Sequence, residues 1–468
     1  MKRSFGTSLR RMTAVALATT ALTTLAFGMI SQAQAETLTD ALSAAYGSNP
    51  TLQGQRAALR ATDEGVAQAV SGWRPSLTAQ GTYGYTSQNV TPAGGGPSDT
   101  DHLRPKTGSV TLSQNIFQGG QTVNNTRSAK YSVAAGRDNL TSTEQNTLLS
   151  AVSAYMDVIR DQQTLELRKN NVMVLTRQLE QTRDRFNVGE LTRTDVAQSE
   201  SRLSSAKAGQ IAAEAQLTAS RAAYERIVGH APGTLEKPTG LQGLPASEDE
   251  ALDIAMKNNP DFLAAQNAEA ASAAAVSAAK GKLLPSFDVQ ASYNYYRDPS
   301  SAIRDDEESS ILGVLTIPLY QSGFEYSQVR QAKENNNQLR MNIIAAQRGV
   351  GEGVRNAWES LRASQASITS NKEAVKASEI ALEGVRQEAE VGSRTTLDVL
   401  NAEQELLNAR VSLVSAERDL SVAEYGLLSA TGNLTARKLA LPVKYYDPQV
   451  NYDEVSGKWI GFGTAGDE

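Results

Sequence analysis

The segment VGSRTTLDVL, residues 391–400, has a close copy in VGELTRTDVA, residues 188–197. Both copies share the pattern V-G-x-x-T-x-x-D-V. Glycine ends helices well because it can adopt the left-handed conformation, and threonine can cap the helix that follows. An aspartate three residues later can reach back to the cap and favours the helix N-terminus. The motif therefore predicts the same helix–turn–helix connection twice.

Around these two turns, the chain aligns with itself. The segment ALSAAYGSNPTL at Ala41 matches ALDIAMKNNPDF at Ala251, an offset of 210 residues that later falls to 203. The difference falls in a Gly/Pro-rich segment of the first half, as expected for an exposed loop that tolerates insertions. We therefore predict two repeats, 36–241 and 242–434, followed by a C-terminal tail at 435–468.

Each repeat contains segments of alternating polarity. In SFDVQASYNY, residues 286–295, apolar and aromatic side chains fall on one face and polar ones on the other, which is typical of a membrane barrel strand. A soluble, half-buried hairpin would show the same alternation. We interpret the acidic run RDDEES, residues 304–309, as a solvated loop. The predicted strands are about 75–90, 106–118, 285–298 and 309–320.

Long helices follow the strands in each repeat. No proline occurs between Gly120 and Gly189 or between Gly323 and Gly392, and at 1.5 Å per residue each helix would span roughly 100 Å. Apolar residues recur at heptad spacing, which suits the wall of a hollow helical tube but also an ordinary antiparallel bundle. The predicted long helices are about 120–188 and 323–391, and the return helices are about 192–230 and 395–431.

Composition narrows the class of protein. The chain has 468 residues, no cysteine, two histidines and a formal net charge of -6. These counts exclude a disulfide framework, a thiolate metal site and a cysteine nucleophile. A nucleophile motif and a Gly-rich phosphate loop are also missing, so we expect neither catalysis nor a cofactor. An acidic exported protein is a poor binder of nucleic acid.

The N-terminal segment has the features of a secretory signal. Residues 1–35 combine a basic start, a short apolar run and the sequence AQA ending at Ala35, so we predict a mature chain that begins at Glu36. An uncleaved anchor helix is the alternative. No later apolar run reaches about 20 residues, so the sequence predicts no transmembrane helix.

Four strands cannot close a membrane barrel, and open sheet edges cannot face lipid. If the strands span a membrane, protomers must share the barrel, and a trimer would supply twelve strands. The predicted fold class is thus an α+β membrane protein, a homotrimeric twelve-stranded β-barrel continued by a long α-helical barrel.

With its repeat, its four strands, its long helices and the turns RFNVGELTRTDV and VGSRTTLDVLNAE, the chain resembles the TolC-like outer-membrane efflux and type I secretion channels. The resemblance covers the mature chain to about residue 434. It implies a homotrimeric passive duct with a β-barrel in outer-membrane lipid and an α-barrel in the periplasm. It also implies a periplasmic adaptor and an inner-membrane transporter, either ABC or proton-driven, as partners. The cargo stays open between drugs and polypeptides, and an exported coiled-coil structural protein or adhesin is the alternative function.

The resemblance also assigns roles to residues of the turns. Asp398 matches an aspartate of the periplasmic constriction, and Asn401 stands where the family has a second aspartate. Arg394 matches a residue that locks the two hairpins together, with Thr194 and Asp195 as its partners. Capping alone would also explain Asp398. The residues that match adaptor-docking turns are Val188, Gly189, Thr192, Val391, Gly392 and Thr395.

Overall fold

The computed structural model describes residues 35–91, 94–95, 97–241, 243–300 and 302–464. The predicted signal peptide lies outside the described residues except for Ala35. The first half contains α1 (Leu38–Ser48), α2 (Pro50–Val70), β1 (Ser76–Tyr83), β2 (Thr86–Val90), β3 (Asp99–Leu103), β4 (Lys106–Gln118), α3 (Gln121–Asn187) and α4 (Arg193–Val228). The second half contains α5 (Glu248–Asn258), α6 (Pro260–Gly281), β5 (Ser286–Ser300), β6 (Ile303–Thr316), α7 (Phe324–Glu390) and α8 (Thr396–Ala430), and α9 (Pro448–Ser456) lies in the tail.

Two asparagines fix the short helices of each half to the end of a return helix. Asn49 caps α2 and Asn259 caps α6, each followed by a proline at the first helical position, as the Asn-Pro pairs predict. The Nδ2 atom of Asn49 donates to the carbonyl of Ile227 at 3.0 Å, and that of Asn259 donates to the carbonyl of Ala430 at 3.2 Å. We call this pair of contacts the asparagine clamps.

The main sheet has four antiparallel strands in the order β1-β4-β5-β6. The prediction of one strand at 75–90 is wrong because the chain leaves this sheet after Tyr83, and β2 pairs with β3 in a separate hairpin. The predicted strand at 309–320 begins earlier, at Ile303, and ends at Thr316. It ends there because Pro318 has no backbone N–H to donate to a ladder.

The acidic run at 304–309 lies inside β6, so its interpretation as a loop is wrong. Arg297 of β5 is the register partner of Asp305 in this run. The Tyr295 hydroxyl also donates to a carboxylate oxygen of Asp305 at 2.9 Å. Polar residues on β5 thus supply cross-strand partners for the acidic residues, and the backbone ladder continues through them.

The long helices form two antiparallel hairpins, α3 with α4 and α7 with α8. Helices α3 and α7 have 67 residues each, which corresponds to about 100 Å. The hairpins are joined where α3 runs beside α8, and Arg418 of α8 forms an ion pair with Asp157 of α3 at 2.9 Å. Nearer the turns, a small apolar cluster unites α3, α4 and α8 through Leu175, Leu179, Leu203, Ala206 and Leu400.

The C-terminal tail packs along α2. The Arg56 guanidinium lies between the rings of Tyr46 and Tyr446, at 4.6 and 5.1 Å from their centroids. The Asn451 side chain donates to the buried Asp63 carboxylate at 2.7 Å. Burial raises the pKa of this carboxyl, so the contact supplies a hydrogen bond that the buried group needs. The tail is therefore part of the folded body through α9.

Candidate functional site

Each hairpin ends at its V-G turn in the same way. Gly189 has φ 83° and Gly392 has φ 81°, the left-handed conformation predicted for both. After Gly189, the amide of Glu190 donates to the carbonyl of Arg185 at 2.8 Å. After Gly392, the amide of Ser393 donates to the carbonyl of Glu388 at 2.9 Å. These bonds across the helix end are those of a Schellman motif, which satisfies carbonyls that the helix leaves unpaired.

The return helices begin with identical capping boxes. The amide of Thr192 donates to Asp195 Oδ2 at 3.0 Å, while the Asp195 amide donates to Thr192 Oγ1 at 3.3 Å. Thr395 and Asp398 make the same pair of bonds at the same distances. Hydrogen bonds from the backbone and side chain of Thr395 lower the pKa of Asp398. The predicted capping role of both aspartates is therefore confirmed.

Arg394, the predicted lock residue, bonds within its own hairpin. Its Nε atom lies 2.7 Å from Glu388 Oε2, and this hydrogen bond raises the pKa of the guanidinium. Within the part of the chain that the structure describes, neither Thr194 nor Asp195 is its bonding partner, and Asp195 is engaged by Thr192. The lock between Arg394 and these two residues stays a prediction.

A different contact joins the hairpins close to the turns. The Arg202 Nη2 atom of α4 donates to Asn401 Oδ1 of α8 at 2.7 Å. Asn401 is one of the two predicted gate residues, and Arg202 is a partner that sequence reasoning missed. The internal alignment gave no signal for it, because the residue equivalent to Arg202 in the second half is Glu405. This bond thus connects positions that are not equivalent in the two halves.

A cleft of about 360 Å³ lies between the hairpins, just before the turns. Three guanidinium groups line it, those of Arg177, Arg185 and Arg386, together with Ala389 and Val399. Two of these are held by carboxylates of their own hairpins, Arg185 by Glu190 at 2.9 Å and Arg386 by Glu403. The cleft is therefore a polar groove whose shape depends on how the two hairpins sit against each other.

At the other end of the molecule, the four-stranded sheet carries an exposed apolar face. The strand register places Leu77, Leu112, Ala291 and Ile311 side by side across β1, β4, β5 and β6. Leu77 is 69% exposed and Ile311 79% exposed in the single chain. A soluble monomer rarely leaves a continuous apolar row uncovered, so this face indicates contact with lipid or a partner.

Among the residues that the structure describes, no helix is both long and apolar enough to cross a membrane. In the same ranges, no group of three or more histidine and acidic side chains is placed to hold a metal ion.

Comparison with known proteins adds independent findings. The pattern of the family described as "Outer membrane efflux protein" matches residues 41–230 and 251–433. The chain is 40% identical over 433 residues to the outer membrane efflux protein BepC of Brucella suis biovar 1, covering 92% of this chain and 93% of that protein. It is 28% identical over 420 residues to the outer membrane protein TolC of Vibrio cholerae, covering 88% and 94% of the two chains. The solved Campylobacter jejuni CmeC outer membrane channel matches with a TM-score of 0.77 and 15% identity, over 90% of this chain and 89% of that one. At such identity the structural likeness shows the fold alone.

Proposed function

The chain belongs to the outer membrane efflux protein family, and we propose that it is the passive exit duct of a tripartite export system. The protein is a TolC-like outer-membrane channel protein that extends into the periplasm, and it is not an enzyme.

The observation that carries the proposal is the apolar row across all four strands. A sheet whose outer face is apolar across its full width suits lipid contact. In the described residues, β1 and β6 form the two edges of this sheet. Unpaired edges are excluded from lipid because their N–H and C=O groups lack partners. We therefore propose that β1 of one protomer pairs with β6 of the next, which closes a twelve-stranded barrel in a homotrimer.

The hairpins then extend the duct into the periplasm. Helices of about 100 Å suit a helical barrel. We also propose that the two halves of the chain are copies of one ancestral hairpin unit. The entrance lies at the turns, where Asp398 and Asn401 narrow the lumen and Arg394 locks the hairpins. A periplasmic adaptor docks on the two V-G turns, and an inner-membrane ABC or proton-driven transporter selects a drug or a secreted polypeptide as cargo.

Cysteine crosslinking tests the barrel directly, because the natural sequence has no cysteine. Gln80→Cys in β1 should be combined with single cysteines at successive positions of β6. Oxidation in outer membranes should give disulfide-linked trimers at alternate β6 positions on non-reducing gels. The matched control is Val110→Cys with Tyr293→Cys, which are register partners within one chain and should crosslink without joining protomers. Absence of intermolecular crosslinks at every β6 position, with a positive control reaction, would refute the shared barrel.

A further inference from the structure

Near the end of the tail that the structure describes, residues 458–463 form a loop that presents three large apolar side chains to solvent. Trp459 is 67% exposed, Ile460 92% and Phe462 fully exposed. The Lys458 ammonium donates to the carbonyl of Gly463 at 2.9 Å, which closes the loop. Gly461, with φ 132°, supplies a conformation that other residues rarely adopt. The apolar side chains are thus displayed by a structured loop, and we call residues 458–463 the tail loop.

The tail loop is fixed at the level where the strands begin. Arg74 Nη1 donates to the carbonyl of Lys458 at 2.6 Å, and the Arg74 guanidinium stacks over the Trp459 ring at 4.8 Å. Ser76, the first residue of β1, is only two residues beyond Arg74, which is roughly 7 Å of extended chain. The Asn451–Asp63 bond and buried Val455 hold the preceding helix, α9, on the body of the protein.

Other exposed apolar residues lie at the same junction between strands and helices. Each lies within three residues of a strand end in sequence or opens the helix that follows a strand. They are Trp73 before β1, Leu284 before β5, Leu319 after β6 and Phe324 at the start of α7. A band of aromatic and aliphatic side chains at one level is typical of the boundary between membrane and water, where tryptophan in particular is enriched.

We propose that the tail loop is a membrane-surface anchor, in which Trp459, Ile460 and Phe462 insert into the periplasmic leaflet of the outer membrane. Lys458 lies beside the inserted residues, where an ammonium can meet lipid phosphate. The inference rests on the proposed function, since it needs the strands to span that membrane. It adds a second, C-terminal contact with lipid that is separate in sequence from every strand.

Tryptophan fluorescence can locate the tail loop because the chain has three tryptophans. The variant Trp73→Phe/Trp358→Phe keeps Trp459 alone, and the full-length protein is reconstituted in vesicles of phosphatidylethanolamine and phosphatidylglycerol. Trace lipids with a nitroxide near the acyl carbonyl serve as the quencher. We expect several-fold stronger quenching of Trp459 than of Trp358 measured alone in Trp73→Phe/Trp459→Phe. Trp358 is the matched control, since it packs against a helical core cluster. It lies about 50 Å along α7 from Phe324, where that helix begins beside the strands.

A third variant, Trp358→Phe/Trp459→Phe, separates this inference from the proposed function. Its remaining Trp73 marks the base of the strands. Lipid quenching of Trp73 together with iodide quenching of Trp459 would overturn the anchor and leave the channel intact. If Trp459 is shielded from both lipid and iodide, the loop packs on protein, either a second copy or another partner, and the anchor is also overturned. If neither Trp73 nor Trp459 is quenched by lipid, the insertion of the strands fails as well.

Discussion

Replacing Arg202 by alanine tests whether the contact between the two hairpins holds the duct closed. The Arg202–Asn401 bond, at 2.7 Å, joins α4 to α8 near the turns. A hydrogen bond with one charged partner contributes about 1.5–3 kcal/mol. Because this pair is exposed to solvent, we expect Arg202→Ala to cost about 1 kcal/mol of stability in each protomer.

The effect on gating depends on the number of copies. In the proposed homotrimer, three protomers would together lose about 3 kcal/mol of closed-state stability if the bond exists only in the closed state. Since 1.4 kcal/mol corresponds to a factor of ten, the ratio of open to closed channels should rise roughly a hundred-fold. Single-channel recording in planar lipid bilayers measures that ratio directly as open probability.

Arg183→Ala is the matched control for this experiment. Arg183 pairs with Glu200 at 2.6 Å and is similarly placed near the turns, but both residues belong to the first hairpin. Losing that pair should leave the relation between the hairpins unchanged. If Arg202→Ala and Arg183→Ala give the same open probability, the Arg202–Asn401 bond does not contribute to closure.

Three further predictions concern the second turn. Asp398→Asn should lower cation selectivity, measured as reversal potential in a salt gradient, whereas Asp195→Asn should not; equal effects would leave Asp398 a cap only. Arg394→Ser should raise resting conductance more than Glu388→Gln does if Arg394 locks the hairpins. The two variants should raise it equally if Arg394 acts through Glu388 alone. The cap lowers the pKa of Asp398, so the ionised carboxylate stabilises the turn fully above the ordinary pKa of 3.8. This stabilisation is lost as the pH falls through the lower pKa of the folded state. Hydrogen exchange at the turn, corrected for its intrinsic pH dependence, should therefore accelerate below pH 3.8 in the natural protein and not in Asp398→Asn.

The local devices of the fold could be predicted from the sequence because they depend on neighbouring residues. The turn glycines, the Thr–Asp capping boxes and the Asn-Pro helix starts each need only a few positions in order. The acidic run in β6 was missed because its partners, such as Arg297, come from another strand. An isolated stretch of acidic residues indicates solvent, and only the register reveals the cross-strand partners.

The candidate site was predictable only in part for the same reason. The two aspartates could be placed at caps, but the partner of Asn401 lies 199 residues away. The position equivalent to Arg202 in the second half holds Glu405, so the internal repeat could not point to an arginine there. The partner of Arg394 was hard to predict for a different reason. A carboxylate six residues earlier, that of Glu388, competes with any distant partner for the same guanidinium.

The asparagine clamps make each hairpin a lever with a fixed pivot. Asn49 and Asn259 hold the far ends of α4 and α8, and the Arg202–Asn401 bond lies about 40 Å along the helices from those ends. A rotation of about 5° at the pivots would therefore displace the helices by roughly 3 Å at that bond, enough to break it. Small angular changes at the clamps would thus be amplified into larger displacements near the turns, with the helices moving as rigid arms.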